Sequence, residues 1–145
     1  MGNKKHILLT DLENYLEIQE DVNFDKLCYT ISLRLSNEVD PLIDKLQNEG
    51  QNLVSIIRIL TRHFNRLYQV KLLIKNGKTE QQAMNSLYPP VFFKQVNNFN
   101  KSVKLWSEIQ LIDMLKKLTD TELSAKQTIM PSNLMLKRLA ISHNL

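Results

Sequence analysis

The stretch Asn52 to Gly77, NLVSIIRILTRHFNRLYQVKLLIKNG, decides the fold. Leu53, Ile56, Ile57, Leu60, Phe64, Leu67, Val70 and Ile74 recur three or four residues apart, which draws one apolar stripe along one face of a helix. Asn52 suits the N-cap, and Gly77 suits the left-handed residue that follows a helix end. About 24 helical residues make a rod of roughly 36 Å, enough to cross a small domain, so the other segments are expected to pack around it. The opposite face carries Arg58, Arg62, Asn65, Arg66 and Gln69 at the same spacing.

Toward the N-terminus, Gly50 stops a helix whose buried edge is Leu42, Ile43 and Leu46. Asn37 is its expected cap, and Pro41 is tolerated in its first turn. Phe24, Leu27, Cys28 and Ile31 mark an earlier helix that ends near Leu35. Thr10-Asp11-Leu12-Glu13 is a capping box for a short helix to about Gln19, with Glu20, Asp21 and Asn23 as linker. Toward the C-terminus, Thr79 to Gln82 repeats the capping-box spacing, and Pro89-Pro90 keeps that helix short. Val91, Phe92, Phe93 and Val96 are expected to begin the next one, which runs to Trp106. Ser107 to Gln110 is a third box, and Ile109, Ile112, Leu115 and Leu118 follow at helical spacing and carry that helix past Leu123. After a break at Thr128 to Ser132, Pro131 suits the first turn of a final helix holding Leu134, Met135, Leu139 and Ile141.

No segment alternates with period two between hairpin turns, and every proline lies at a helix start or break. The fold expected is therefore all-α, a single bundle of about seven helices around the long central one. Length is consistent: 145 residues with 43% hydrophobic and 23% charged side chains suit one domain with a continuous core. No apolar run reaches the length of a membrane helix, and Ile7 to Leu9 is too short for a signal peptide, so no membrane partner is expected. The single cysteine, Cys28, excludes an internal disulfide and suits a reducing, cytoplasmic setting.

The net charge of +4 is unevenly spread. Residues 1–52 carry 10 acidic and 5 basic side chains (−5), residues 53–117 carry 3 and 11 (+8), and the remainder 2 and 3 (+1). The +8 block fits either nucleic acid or an acidic protein surface, the chain's own N-terminal third included.

Catalytic chemistry has little to stand on. His6, His63 and His143 lie on different elements with no metal-spaced partner, and both phosphate-binding glycine motifs are missing, so no metal and no cofactor is expected. His63 reads as a helix-surface or satisfied core histidine, Cys28 as a buried thiol, and Glu13 with Glu17 as a solvated face. Two features remain. The row Arg58, Arg62, Arg66, continued by Lys71, Lys75 and Lys78, offers phosphate contact or a solvated, subunit-facing surface. The aromatics Tyr88, Phe92, Phe93, Phe99 and Trp106 read as core packing ahead of an exposed stacking or partner site.

The blocks LTRHFNRLYQVKLLIKNGKTEQQAM, LYPPVFFKQVNNFNKSVKLWS, LIDMLKKLTDTELSAKQ and LKRLAISHNL, in that order, resemble the C-terminal part of the delta subunit of bacterial DNA polymerase III, a clamp-loader family. LLTDLENYL, then FDKLCYTIS and LQNEG, look like that family's passage from the helical lid domain into the collar. The resemblance implies that residues 1–22 end the lid domain and that 23–145 form the collar, which joins loader subunits into a ring. Activity would then be association without catalysis. The implied partners are the gamma/tau and delta-prime subunits and primer-template DNA, with the sliding clamp met only through an AAA+-type N-terminal domain outside these residues. Asn97, Asn98 and Asn100 depart from the arginines usual after the PPVFFK block, and Ala125 to Thr128 lacks the usual glycine turn. The alternative from another class is a small helical nucleic-acid-binding module using the basic face of the central helix.

Overall fold

The computed structural model describes residues 23–127 and 132–142. Helix α1, residues 23–32, buries Phe24, Leu27, Cys28 and Ile31, the stripe its spacing predicts. It closes as a Schellman motif: Leu35 N–H donates to Thr30 O (2.9 Å) and Arg34 N–H to Ile31 O (3.0 Å). The left-handed residue there is Arg34, at φ 64°, where a glycine is usual.

A 3-10 turn at Ser36–Glu38 leads into α2, Val39–Asn48, which buries Val39, Leu42, Ile43 and Leu46. The expected Asn37 cap does not form. Asn37 lies inside the turn, and the turn's Ser36 carbonyl accepts from Val39 N–H, so the first orphan donor of α2 is met by backbone.

Helix α3, Leu53–Lys75, is the long rod. Asn52 Oδ1 accepts from Val54 N–H at 2.8 Å, and Gly77, at φ 102°, ends the helix by donating to Ile74 O at 3.1 Å. Its buried side chains are Ile56, Ile57, Leu60, His63, Phe64, Leu67 and Val70, while Leu53 and Ile74 pack at the core's margin. Helix α4, Glu80–Ser86, starts with the Thr79/Gln82 box, both bonds at 3.1 Å.

The next helix begins later than its aromatic start suggests. Phe92 stays extended (ψ 134°) after the Pro89-Pro90 pair, a 3-10 turn spans Phe93–Gln95, and α5 covers Val96–Leu105. Helix α6, Glu108–Gln127, opens on the Ser107/Gln110 box at 2.9 and 3.1 Å. Its core row is Leu111, Met114 and Leu118; Ile112 and Leu115 are half-buried and Ile109 is 79% exposed. Both apolar rows on α6 have helical spacing and share Leu118, and the one headed by Leu111 turns inward.

Helix α7, Ser132–Ser142, buries Leu136, Leu139 and Ala140, with Met135 and Ile141 half-buried. The Leu134 side chain, Thr128 to Pro131 and the Thr10 capping box lie outside the described residues. Helix α3 makes its most extensive contact with α6 and also meets α4, α5 and α7; α7 in turn packs on α6 and α2. Among the described residues there is no strand, so the architecture is the expected all-α bundle with α3 at its centre.

Candidate interaction surface

Residues 24–29 of α1, the middle of α3 and the segment 89–95 line a cleft of about 410 Å³. Its lining includes the apolar Cys28, Ile59 and Phe99, together with Arg62 and Arg66, one helical turn apart on α3, and Phe92. Arg62 is exposed and Arg66 half-buried. Burial lowers the pKa of Arg66, the neighbouring Arg62 charge lowers it further, and the Tyr29 hydroxyl opposes both. Neither arginine has an ion pair among the described residues. The other ionisable groups on the lining are Asp25, Cys28, Tyr29 and His63.

The remaining cations of the predicted row go elsewhere. Arg58 Nε pairs with Glu122 at 2.8 Å, Lys75 Nζ with Glu108 at 3.1 Å, and Lys71 Nζ donates to Val103 O at 2.8 Å. Lys78 is exposed beyond the end of α3. Lys71 and Lys75 line a second cleft, of about 320 Å³, together with Lys104, Glu80 and Glu108. Lys104 pairs there with Glu80 at 3.6 Å, and Asn100 donates to the same carboxylate at 2.7 Å. In the second cleft Lys75 and Lys104 are thus ion-paired and Lys71 is hydrogen-bonded to a carbonyl, whereas in the first Arg62 and Arg66 have no ion pair among the described residues, with Asp25 on the same lining.

The aromatic cluster also divides. Phe99 and Trp106 are core residues, but Phe92 is 55% exposed, Phe93 73% and Tyr88 98%, so core packing fails for these three. Phe92 and Phe93 meet edge to face at 4.8 Å, and Lys94 lies 6.0 Å from the Phe93 ring centre. The cis Tyr88-Pro89 peptide precedes them. The other exposed large apolar side chains among the described residues are Leu35, Leu105, Ile109 and Leu123, of which the first three belong to the segments that meet around Arg34.

A buried polar chain joins three helices behind the first cleft. Ser102 Oγ–H donates to Asn98 O (2.9 Å), so the 2.8 Å contact between the two hydroxyls is donated by Ser32. Ser32 Oγ can then accept only from His63 Nε2–H, 3.0 Å away, which fixes the neutral tautomer. Burial, with help from Arg66, pushes the His63 pKa down to about 3. Trp106 Nε1–H donates to Ser32 O at 2.8 Å, and the His63 ring lies edge-on to Tyr29 at 4.9 Å. His63 is thus a satisfied core histidine, and Cys28 is a buried thiol whose pKa burial raises. Among the described residues no three of the His, Cys, Asp and Glu side chains gather as a metal site would require. No helix among them is long and apolar enough to cross a membrane.

Two features escape sequence reasoning. Arg34 is one, because a non-glycine left-handed residue carries no local signal. Ser32 and Ser102 are the other; their positions beside Cys28 and Phe99 on apolar stripes are the one sign that they face inward.

An all-α bundle of this kind has a solved counterpart. The Bacillus subtilis DNA clamp loader delta protein superposes with a TM-score of 0.69 at 19% identity, covering 84% of this chain and 35% of that one. A Rickettsia prowazekii protein described as a probable DNA polymerase III subunit delta is 39% identical over 84 residues, 58% of this chain and 26% of that protein. The family model for the DNA polymerase III delta subunit, C-terminal domain, matches residues 26–143, and the chain belongs to that family. It matches only about a quarter of the length of the curated relative.

Proposed function

We propose that this chain supplies the collar of a clamp-loader delta subunit and acts by association, with no catalysis of its own. The observation that carries this reading is the family match across nearly the whole bundle, 26–143. In this reading residues 23–145 are the collar and 1–22 the end of the lid domain, and the setting is cytoplasmic. The partners are gamma/tau and delta-prime subunits, which meet apolar side chains that the bundle leaves uncovered. Ile109, Leu105 and Leu35 in the segments around Arg34, and Phe93 in segment 89–95, support that role as exposed large apolar side chains of the kind found at interface cores. Contact with the sliding clamp belongs to the AAA+-type domain. Mixing the chain with gamma/tau and delta-prime collar domains tests the reading: co-migration at micromolar concentration supports it, and its failure removes it.

A second reading is favoured by one observation. Arg62 and Arg66, which have no ion pair among the described residues, line one cleft with the exposed Phe92, a charge-plus-stacking arrangement suited to single-stranded or primer-template DNA. Lys75, paired with Glu108, Lys71, held by the Val103 carbonyl, and the uncharged Asn97, Asn98 and Asn100 contribute little to such a surface. DNA affinity that falls steeply with salt and is lost on charge reversal at Arg62 and Arg66 would support it; affinity indifferent to both would remove it.

A further inference from the structure

The first cleft offers more than charge. At about 410 Å³ it falls within the range of ligand pockets, roughly 300–1,000 Å³. Most of its lining is apolar, with Phe24, Ile59, Val91 and Phe99 among the side chains, so an occupant gains chiefly by burying an apolar body there. The cations come as one compact pair. Arg62 and Arg66 lie one helical turn apart, with about 5–6 Å between their Cβ atoms, close enough for both guanidinium groups to reach a single carboxylate. Neither has an ion pair among the described residues, and Arg66 is half-buried, where a charge-assisted hydrogen bond is stronger than in open water. The lining also holds an acceptor. Because His63 Nε2–H is committed to Ser32 Oγ, Nδ1 is an acceptor, and it has no hydrogen bond among the described residues. Asp40 Oδ1 is the one side-chain polar atom among those residues that is fully buried without a partner, so Nδ1 is not sealed off, and His63 lines this cleft.

A ligand that answers all three features has a compact anionic end, an apolar body and an N–H donor close to both. A simple fatty or aryl acid lacks the donor. A phosphate backbone carries a charge at every nucleotide, along a lining that is mostly apolar and includes the Asp25 carboxylate. The last residue of a polypeptide supplies all three groups within a few bonds of one another. We infer that this cleft captures the free C-terminus of a partner protein. The terminal carboxylate pairs with Arg62 and Arg66, a large apolar last side chain packs among Ile59, Phe92 and Phe99, and the last backbone N–H donates to His63 Nδ1. The inference concerns a cleft that the collar reading leaves unused, and it holds or fails independently of that reading.

Fluorescence anisotropy with the full chain and an N-terminally labelled pentapeptide, uncharged in its side chains and ending in phenylalanine, is the test. The free acid should bind at least tenfold more tightly than its C-terminal amide, because the amide offers no carboxylate to the guanidinium pair. Replacing the last phenylalanine by serine should weaken binding by a similar factor. In Arg62→Gln/Arg66→Gln, with circular dichroism unchanged, acid and amide should bind alike. Should that variant fail to fold, the comparison of acid with amide on the parent chain decides by itself. Equal binding of acid and amide by the parent chain, or a folded double variant that keeps the preference for the acid, would overturn the inference. Hydrocinnamate binding as tightly as the peptide would also overturn it, in favour of a site for small organic acids. So would failure of the acid to bind at about 1 mM, and a single-stranded oligonucleotide that binds under those conditions would assign the cleft to nucleic acid instead.

Discussion

The guanidinium of Arg34 lies 4.3 Å from the centre of the Trp106 ring, and its Nη2 donates to Leu105 O at 3.1 Å and to Gln110 Oε1 at 3.2 Å. One side chain thus ties the end of α1 to the end of α5 and to the capping box of α6. It does so from a left-handed backbone position that costs a non-glycine residue about 1–2 kcal/mol. The contacts explain why an arginine occupies a glycine's place.

Arg34→Ala keeps the backbone cost and loses the stacking and both hydrogen bonds, so it should destabilise the bundle by about 1–2 kcal/mol after allowing for solvent exposure. Arg34→Gly loses the same contacts but relieves the backbone, and should recover about 1 kcal/mol of that loss. Urea titrations of the three proteins check the order, parent above glycine above alanine; alanine at or above glycine would show that φ 64° carries no strain.

His63 predicts a pH dependence with a definite sign. Its pKa falls from 6.5 in the unfolded chain to about 3 in the bundle, so below pH 6.5 the unfolded chain binds a proton that the folded chain refuses. The stability contributed by neutral His63 is complete above pH 6.5 and declines as pH falls toward 3, by at most about 1.4 kcal/mol per unit. Denaturation of the parent and of His63→Gln across that window checks it. The parent curve should be steeper by roughly that slope.

Ser32→Ala leaves the His63 Nε2–H donor unmet and should cost about 1–3 kcal/mol, more than the few tenths usual for a surface serine. Adding Ser102→Ala should cost less than the sum of the two single changes, because both act on one hydrogen-bond chain. A double-mutant cycle by thermal unfolding reads the coupling directly.

The aromatic pair on segment 89–95 separates stability from association. Phe93→Ser and Ile109→Ser should change unfolding free energy by less than about 0.5 kcal/mol, whereas Phe99→Ala should cost about 3–5 kcal/mol. In the collar reading the two surface changes nevertheless weaken binding to sister subunits, which light scattering of mixtures would reveal.

Much of this architecture is legible from local chemistry. Asn52, Thr79 and Ser107 cap their helices because a short polar side chain meets its own backbone a turn away, a relation that needs nothing from the rest of the fold. Gly77 ends α3 for a similarly local reason. The inward face of α6 is less legible: Ile109 and Leu111 head two rows of helical spacing, and the local pattern does not choose between them. Within the PPVFFK block, hydrophobicity marks Phe92 and Phe93 as interior residues, yet after two prolines an extended Phe92 and a 3-10 turn that starts at Phe93 leave both exposed. The basic row on α3 reads as continuous in sequence, but Lys71 and Lys75 lie well around the helix from Arg62 and Arg66 and meet acceptors contributed by α5 and α6. Long-range pairings of that kind, like Arg34 with Trp106, leave no mark on the local pattern.

The most direct test of the collar reading is sedimentation velocity of the chain, alone and with gamma/tau and delta-prime collar domains, at moderate salt. The account predicts a faster-sedimenting complex at micromolar concentration that persists as salt rises, since apolar surface carries the contact. A chain that sediments unchanged in the presence of those subunits at every salt concentration would contradict it.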